Sequence, residues 1–306
     1  MTRPTRLRRS ELSTPGTSEK MIVKAAASAA DLVFLDLEDA VAPSEKEKAR
    51  PPIVAALNEL DWGTKTRAVR INGTHTHWCA DDLTAVMEGA GAHLDIVVIP
   101  KVKARRDVWF VDTLLTQLET KLGLPVGRIG IEILIEEAEA LARVEELATC
   151  CPRLEALILG VGDLSASLGM RLGQIGEAGD RYPGDVWHYA RHRMITAARA
   201  AGIDPIDGPY GAIRNADGYR QAAAWAATLG AVGQWASHPS QIDIANPVFA
   251  PPADEIAQAR AVIAAVQEAE ATGAGAANYN GMMVDAATTR IFEGVLDRAR
   301  RAGLVE

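Results

Sequence analysis

Ile129-Gly130-Ile131-Glu132-Ile133-Leu134 is the stretch on which the reading of the fold turns. It is a short apolar run rich in β-branched residues, the signature of a buried strand. Runs of the same kind recur at Leu32 to Leu35, Ala68 to Ile71, Ile96 to Ile99 and Ala156 to Leu159. Weaker candidates are Glu11 to Thr14, Asp204 to Asp207 and Gly233 to Ser237. Helical stretches separate them: Ser18 to Ala30 is rich in Ala and Lys, and Val186 to Ala201 runs without Gly or Pro until Gly202 stops it. Strands alternating with helices predict a parallel sheet, and eight strands close an α/β TIM-type (β/α)8 barrel.

The one charge inside the opening stretch is Glu132, and period-two alternation puts it on the same face as Gly130. A small neighbour beside a charge suits the narrow interior of a barrel. A carboxylate buried there must be paired or bound to metal, because burial alone would cost several kcal/mol. Arg70, at the end of the Ala68 to Ile71 run, is the candidate partner, and an internal Glu132–Arg70 ion pair is one reading. Asp163, in Gly160-Val161-Gly162-Asp163-Leu164-Ser165 after the next strand, opens the other: two carboxylates from adjacent strands, completed by waters, make a magnesium site. Asp36, Glu38 and Asp39, then Asn72, then Lys101 also follow strand ends, the edge of a barrel where active sites lie.

Bulk properties narrow the class. A composition of 48% hydrophobic and 24% charged residues excludes disordered and fibrous chains. A net charge of -8 argues against nucleic acid and membrane surfaces as partners. The N-terminus departs from that average: Arg3, Arg6, Arg8 and Arg9, then Lys20 and Lys24, form a basic cluster able to meet a phosphate-bearing ligand or to be a solvated tail. Three cysteines, Cys79, Cys150 and Cys151, form no framework and no zinc spacing, which fits a reducing cytoplasm. No apolar run approaches the ~20 residues of a membrane helix.

The histidines resemble transition-metal ligands in their spacing, but that reading is the weaker one. His188 and His192 have i,i+4 spacing but no glutamate follows His188, and His75 and His77 lie in a loop, so surface or packing roles are expected for all four. His238, in Ser237-His238-Pro239-Ser240-Gln241, is expected to organise the end of the last strand. Ser44 and Glu47 make a capping-box pattern, yet Pro51 and Pro52 predict a short turn followed by a new helix. Gly173 to Gly184 reads as a mobile loop over the barrel mouth. Two domains of unequal size follow: a catalytic barrel over 1–250, and over 251–306 a helical extension with Ile256, Val262, Ile263 and Val266 on one face, a flexible Gly273 to Asn280 stretch and a last helix.

Several stretches resemble, in order along nearly the whole chain, the citrate lyase β-subunit and malyl-CoA lyase branch of the HpcH/HpaI aldolase/citrate lyase family. They are Arg9-Ser10-Glu11-Leu12, Pro15-Gly16, Phe34 to Val41, Asp61-Trp62-Gly63, Val69-Arg70-Ile71-Asn72, Ile99-Pro100-Lys101-Val102, Ile206-Asp207-Gly208-Pro209 and His238 to Ile242. The resemblance implies a TIM barrel with a magnesium ion, replaceable by manganese, held by Glu132 and Asp163. It implies that Arg70 faces a coenzyme A thioester oxygen as it becomes an enolate, that Asp39 lies in the substrate pocket, and that Arg9 and Lys20 meet the coenzyme A phosphates. It further implies that the C-terminal segment is a lid over a neighbouring subunit of a homotrimer or homohexamer, delivering Asp285 to that subunit's site. The activity implied is reversible Claisen-type cleavage of malyl-CoA or β-methylmalyl-CoA to acetyl- or propionyl-CoA and glyoxylate, a 2-oxo acid. Alternatives within the same resemblance are a citramalyl-CoA or citryl-thioester lyase and a coenzyme A-independent pyruvate aldolase; a silent coenzyme A-binding protein is the reading from another class. The loop after Asp163 is shorter than in several malyl-CoA lyases, so its contribution to the pocket stays open.

Overall fold

The computed structural model describes residues 3–172 and 182–305. All eight expected strands form: β1 (Ser10–Pro15), β2 (Leu32–Asp36), β3 (Thr66–Arg70), β4 (Ile96–Ile99), β5 (Gly130–Ile135), β6 (Leu154–Leu159), β7 (Asp204–Asp207) and β8 (Gly233–Ala236). They pair in parallel in chain order and β8 closes on β1, giving the TIM-type barrel. The helices around it are α1 (Glu19–Ala26), α2 (Lys46–Glu59), α3 (Cys79–Ala90), α4 (Arg105–Lys121), α5 (Ala138–Ala142), α6 (Val144–Ala148), α7 (Val161–Ser167), α8 (His188–Ala200) and α9 (Ala216–Leu229), with α10 (Ile242–Val248) after the last strand. The loop expected at Gly173 to Gly184 falls almost entirely outside the described residues.

The strands are staggered, and the stagger decides which residues reach which end. One row of paired residues begins at Pro15, the last residue of β1, and continues through Asp36, Arg70, Val98, Glu132 and Ala156 to Asp204, the first residue of β7. A row perpendicular to the strands therefore descends from the mouth to the floor as it crosses the barrel, as shear requires. The interior is filled at mid-height by one apolar cluster that includes Phe34, Val98, Leu134, Ile158, Ile206 and Trp235.

The expected break at Pro51 and Pro52 does not occur. After a single 3-10 turn at Pro43–Glu45, α2 runs through both prolines, which lack the amides that would bond four residues back. Tertiary anchoring outweighs that loss: Ala49, Ile53, Ala56 and Leu57 are buried on one side, and the Lys46 ammonium donates to the carbonyls of Leu37 and Glu38 at 3.1 and 2.9 Å.

Residues 247–306, together with Thr5–Leu7, form a second compact unit. It contains α11 (Ala253–Ala271), β9 (Ala276–Tyr279), β10 (Met282–Asp285) and α12 (Ala286–Arg301). Val262, Val266 and Val284 make its core, while Ile263 is only half-buried. The stretch read as flexible folds into an antiparallel hairpin in which Tyr279 pairs with Met282. Its two-residue turn is Asn280-Gly281 with φ of 50° and 83°, the left-handed pair that an Asn-Gly dipeptide adopts readily. The dipeptide was the legible signal for it.

Candidate active site

Gly130, Glu132, Leu134 and Glu136 share the inward parity of β5, but they lie at different heights. Glu132 is at the floor. Its Oε1 accepts from Arg8 Nε at 2.7 Å, and the same guanidinium donates to Glu155 Oε2 at 2.6 Å and to Asp204 Oδ2 at 3.0 Å. Arg8 is 2% exposed and Glu132 fully buried. Glu11, fully buried in the same layer, has no hydrogen bond to either carboxylate oxygen among the described residues. Burial, then the neighbouring Glu132, holds its carboxyl well above the usual range. The layer therefore gathers four acids around one arginine, and Gly130 leaves the room, since a Cβ there would stand 2.2 Å from Glu155 Oε1.

This placement corrects two expectations. The internal Glu132–Arg70 pair does not form, because Glu132 is held by Arg8 and Arg70 by Asp36. Nor does Glu132 stand beside Asp163: it belongs to the floor, four residues of strand and about 13 Å below the mouth. Arg9 is also at that lower end, just before β1. Its Nε and Nη2 donate to the two oxygens of Asp31, which precedes β2, so its guanidinium is committed far from the mouth.

At the mouth the inward carboxylate of β5 is Glu136, the first residue beyond the strand and 2% exposed. It follows the same parity as Glu132, but it ends the apolar run instead of interrupting it and so looks in sequence like an ordinary loop acid. Glu136 Oε1 accepts the Lys101 amide at 2.6 Å. Its carboxyl is pushed up to about 8, first by burial and also by the charge of Asp163, with Lys101 and Arg70 pulling the other way. Its side chain lies against Gly160, where a Cβ would come within 2.3 Å of the Glu136 Cβ. Asp163 sits in the first turn of α7 with its side chain 40% exposed.

Arg70, the last residue of β3, is 5% exposed. Its Nε and Nη2 donate to Asp36 Oδ1 and Oδ2 at 2.7 and 2.5 Å, and its Nη1 lies 3.1 Å from Glu38 Oε2. Trp235 supports it from below, the guanidinium carbon standing 5.1 Å from the ring centroid. Asp36 in turn accepts the amides of Glu38 and Ala40, which fixes the loop carrying Asp39. Lys101 Nζ donates to Glu38 Oε1 at 2.5 Å and to Asp39 Oδ2 at 3.1 Å, and lies 3.5 Å from Asp163 Oδ2. Burial pushes the Asp39 carboxyl up, but the hydrogen bond and charge of Lys101 outweigh it and leave the value lowered.

The mouth thus brings together Arg70, Asp39, Asp163, Glu136 and Lys101. Two inward acids, one buried and held partly neutral, suit a hard divalent cation whose remaining ligands are water or substrate oxygens. Among the described residues no group of three or more His, Cys, Asp or Glu could hold a metal by protein ligands alone. Lys20 is exposed in the first turn of α1, on the mouth side of β1. Asp285, in the second unit, caps α12: its Oδ1 accepts the amides of Ala287 and Thr288 at 2.9 and 3.0 Å, and these bonds, led by that of Thr288, lower its pKa.

His188 and His192 are exposed on α8, their rings stacked 6.0 Å apart. His238 accepts the Ser240 amide at 3.2 Å and so caps the turn after β8, as expected of it. No helix among the described residues is long and apolar enough to cross a membrane.

A model of the HpcH/HpaI aldolase/citrate lyase family matches residues 9–239. The L-malyl-CoA/β-methylmalyl-CoA lyase of Rhodobacter capsulatus is 42% identical over 98% of this chain and 96% of its own. The citrate lyase subunit beta of Leuconostoc mesenteroides is 32% identical, with 98% and 96% covered. Among solved structures, CitE from Mycobacterium tuberculosis in complex with magnesium, acetoacetate and coenzyme A superposes with a TM-score of 0.76 at 30% identity, covering 96% of this chain and 97% of that one.

Proposed function

The chain belongs to the HpcH/HpaI aldolase/citrate lyase family, and from that premise we propose that it is a magnesium-dependent carbon–carbon lyase acting on malyl-CoA or β-methylmalyl-CoA. The products are acetyl- or propionyl-CoA and glyoxylate. The observation that carries the reading is the convergence of Glu136, Asp163 and Arg70 on one mouth. Glu136 and Asp163 hold the ion, Glu136 replacing Glu132 in that role. When bound, magnesium or manganese neutralises a 2-oxo acid carboxylate and polarises its carbonyl.

Every other part belongs to the chain. Arg70 is clamped by both oxygens of Asp36 and lies over the Trp235 ring, so its remaining N–H donors are aimed before substrate arrives. They stabilise the thioester oxygen as it takes on enolate charge, a charge that exists only along the reaction path. Asp39 lines the pocket, and Lys20 meets the coenzyme A phosphates without Arg9. Asp285 moves the proton at the acyl carbon from a neighbouring subunit, with residues 251–306 acting as lid, so the working enzyme is a cytoplasmic homotrimer or homohexamer. Its depressed pKa keeps the carboxylate charged at neutral pH, the form that takes the proton from the acyl carbon in the condensation direction; in cleavage the same proton returns to the enolate carbon.

Incubation of the purified protein with malyl-CoA and magnesium is expected to release glyoxylate, detected as its phenylhydrazone. Silence across malyl-, β-methylmalyl- and citramalyl-CoA, with turnover of free pyruvate and an aldehyde instead, would assign the same mouth to a coenzyme A-independent aldolase.

A further inference from the structure

Lys101 is one of two non-glycine residues with positive φ among the described residues, at 52°. The other, Asn280, sits in an Asn-Gly hairpin turn where that conformation is ordinary. No such turn accounts for Lys101, which follows Pro100 at the end of β4. A left-handed backbone at a long side chain is strained and persists only where the surroundings determine it. Here it turns the amide toward Glu136 and the side chain back over the loop after β2.

Among the described residues the mouth collects five acids, Asp36, Glu38, Asp39, Glu136 and Asp163, against two cations paired with them, Arg70 and Lys101. Arg70 is taken by Asp36 and reaches Glu38. Lys101 is the group that touches all the others: its amide fixes Glu136, and its ammonium spans Glu38, Asp39 and Asp163. We propose that Lys101 is a positioning residue that sorts these acids. It holds Glu38 and Asp39 away from the divalent ion, aims Glu136 at it, and competes with it for Asp163. This inference rests on the reading of Glu136 and Asp163 as the metal pair.

The sorting predicts an unusual combination. In Lys101→Met the ammonium no longer competes and Glu38 is released toward the ion, so Mn2+ binds about tenfold more tightly or better. Turnover falls about a hundredfold because a third carboxylate quenches the ion's charge and misplaces the substrate oxygens, while KM changes little. Lys101→Arg keeps the charge and restores Mn2+ affinity to the wild-type range with part of kcat. Lys101→Gly keeps the amide contact and relaxes the backbone, and it behaves as Lys101→Met does toward Mn2+.

Binding of Mn2+ to the full-length protein without substrate, followed by electron paramagnetic resonance, is the deciding measurement, with kcat and KM measured alongside. Unchanged or weaker Mn2+ binding in Lys101→Met, or unchanged kcat, overturns the sorting role. Loss of Mn2+ binding in Glu136→Gln alongside wild-type binding keeps that failure separate from the metal reading. A wild-type protein that binds no Mn2+, or a Glu136→Gln variant that binds it as tightly, sinks both.

Discussion

Exchanging the two inward carboxylates of β5 for amides, one at a time, separates the floor of this barrel from its mouth. Glu136→Gln is isosteric and keeps an acceptor for the Lys101 amide. The folded protein holds a proton on Glu136 up to about pH 8, against an unfolded value near 4.5, so unfolding releases that proton and stability falls as pH rises through this window. Glutamine has no such slope. Over the two and a half units between 4.5 and 7, at about 1.4 kcal/mol per unit, the metal-free variant gains on the order of 3 kcal/mol over wild type. That corresponds to a Tm higher by roughly 5 °C, with the gap shrinking toward pH 5. Saturating Mg2+ reverses the order, because the ion stabilises only the chain that binds it. Glu132→Gln behaves oppositely: Arg8 retains Glu155 and Asp204 but loses one charged partner, at a cost of about 1–3 kcal/mol, and the Mg2+-induced rise in Tm is kept. Scanning calorimetry at pH 5.5, 6.5 and 7.5, with chelator and with about a thousandfold excess of Mg2+ over its dissociation constant, which stabilises by about 4 kcal/mol, decides the matter. A Mg2+ response lost in Glu132→Gln and kept in Glu136→Gln would refute the assignment.

Arg8→Met removes the cation from a layer of buried acids and is expected to lower stability by about 3–5 kcal/mol in urea titration, since Glu132, Glu155 and Asp204 are left without their shared partner. Glu11→Gln in the same layer raises the urea midpoint, and more at pH 7.5 than at pH 5, because burial and Glu132 hold the native carboxyl neutral while the unfolded chain ionises. Gly160→Ala pushes the Glu136 side chain aside through a 2.3 Å contact; Mn2+ affinity measured by calorimetric titration should fall at least tenfold while circular dichroism stays native. Divalent-ion binding near pH 6.5 should release close to one proton, seen as a buffer-dependent binding enthalpy, because the ion requires the ionised form of a carboxyl otherwise protonated up to about pH 8.

The strands were legible because each is a short apolar run bounded by turn residues, and even the weak ones at Ser10–Pro15 and Gly233–Ala236 follow from the count a barrel needs. What sequence alone did not disclose is height. Stagger carries one paired row from Asp36 and Arg70 at the mouth down to Asp204 at the floor, and Glu132 lies on that row. A charge inside an apolar run is conspicuous, which drew the reading to Glu132, whereas Glu136 follows the run and resembles an ordinary loop acid beside Glu137. The alternation of Gly130, Glu132, Leu134 and Glu136 contained both answers; choosing between them required the position of the strand's end. The N-terminal arginines misled for a related reason, since Arg8 and Arg9 precede β1 and therefore emerge at the end opposite the mouth.

The two ends of β5 also show why one face can serve two purposes without interference. Leu134 and the apolar cluster around it lie between Glu132 and Glu136, so the acids below are sealed from exchange: Glu132, Glu155 and Asp204 share the one cation Arg8, and burial keeps Glu11 protonated. Among the described residues the acids above likewise outnumber the cations paired with them: five carboxylates stand against Arg70 and Lys101. A floor closed to solvent keeps its charges within the chain, whereas the mouth is open, with the Asp163 side chain 40% exposed, and there the proposed divalent ion would meet Glu136 and Asp163. Structural and catalytic carboxylates are thus distinguished by where their neutralising charge comes from, and in this barrel that difference is set by the register of eight strands.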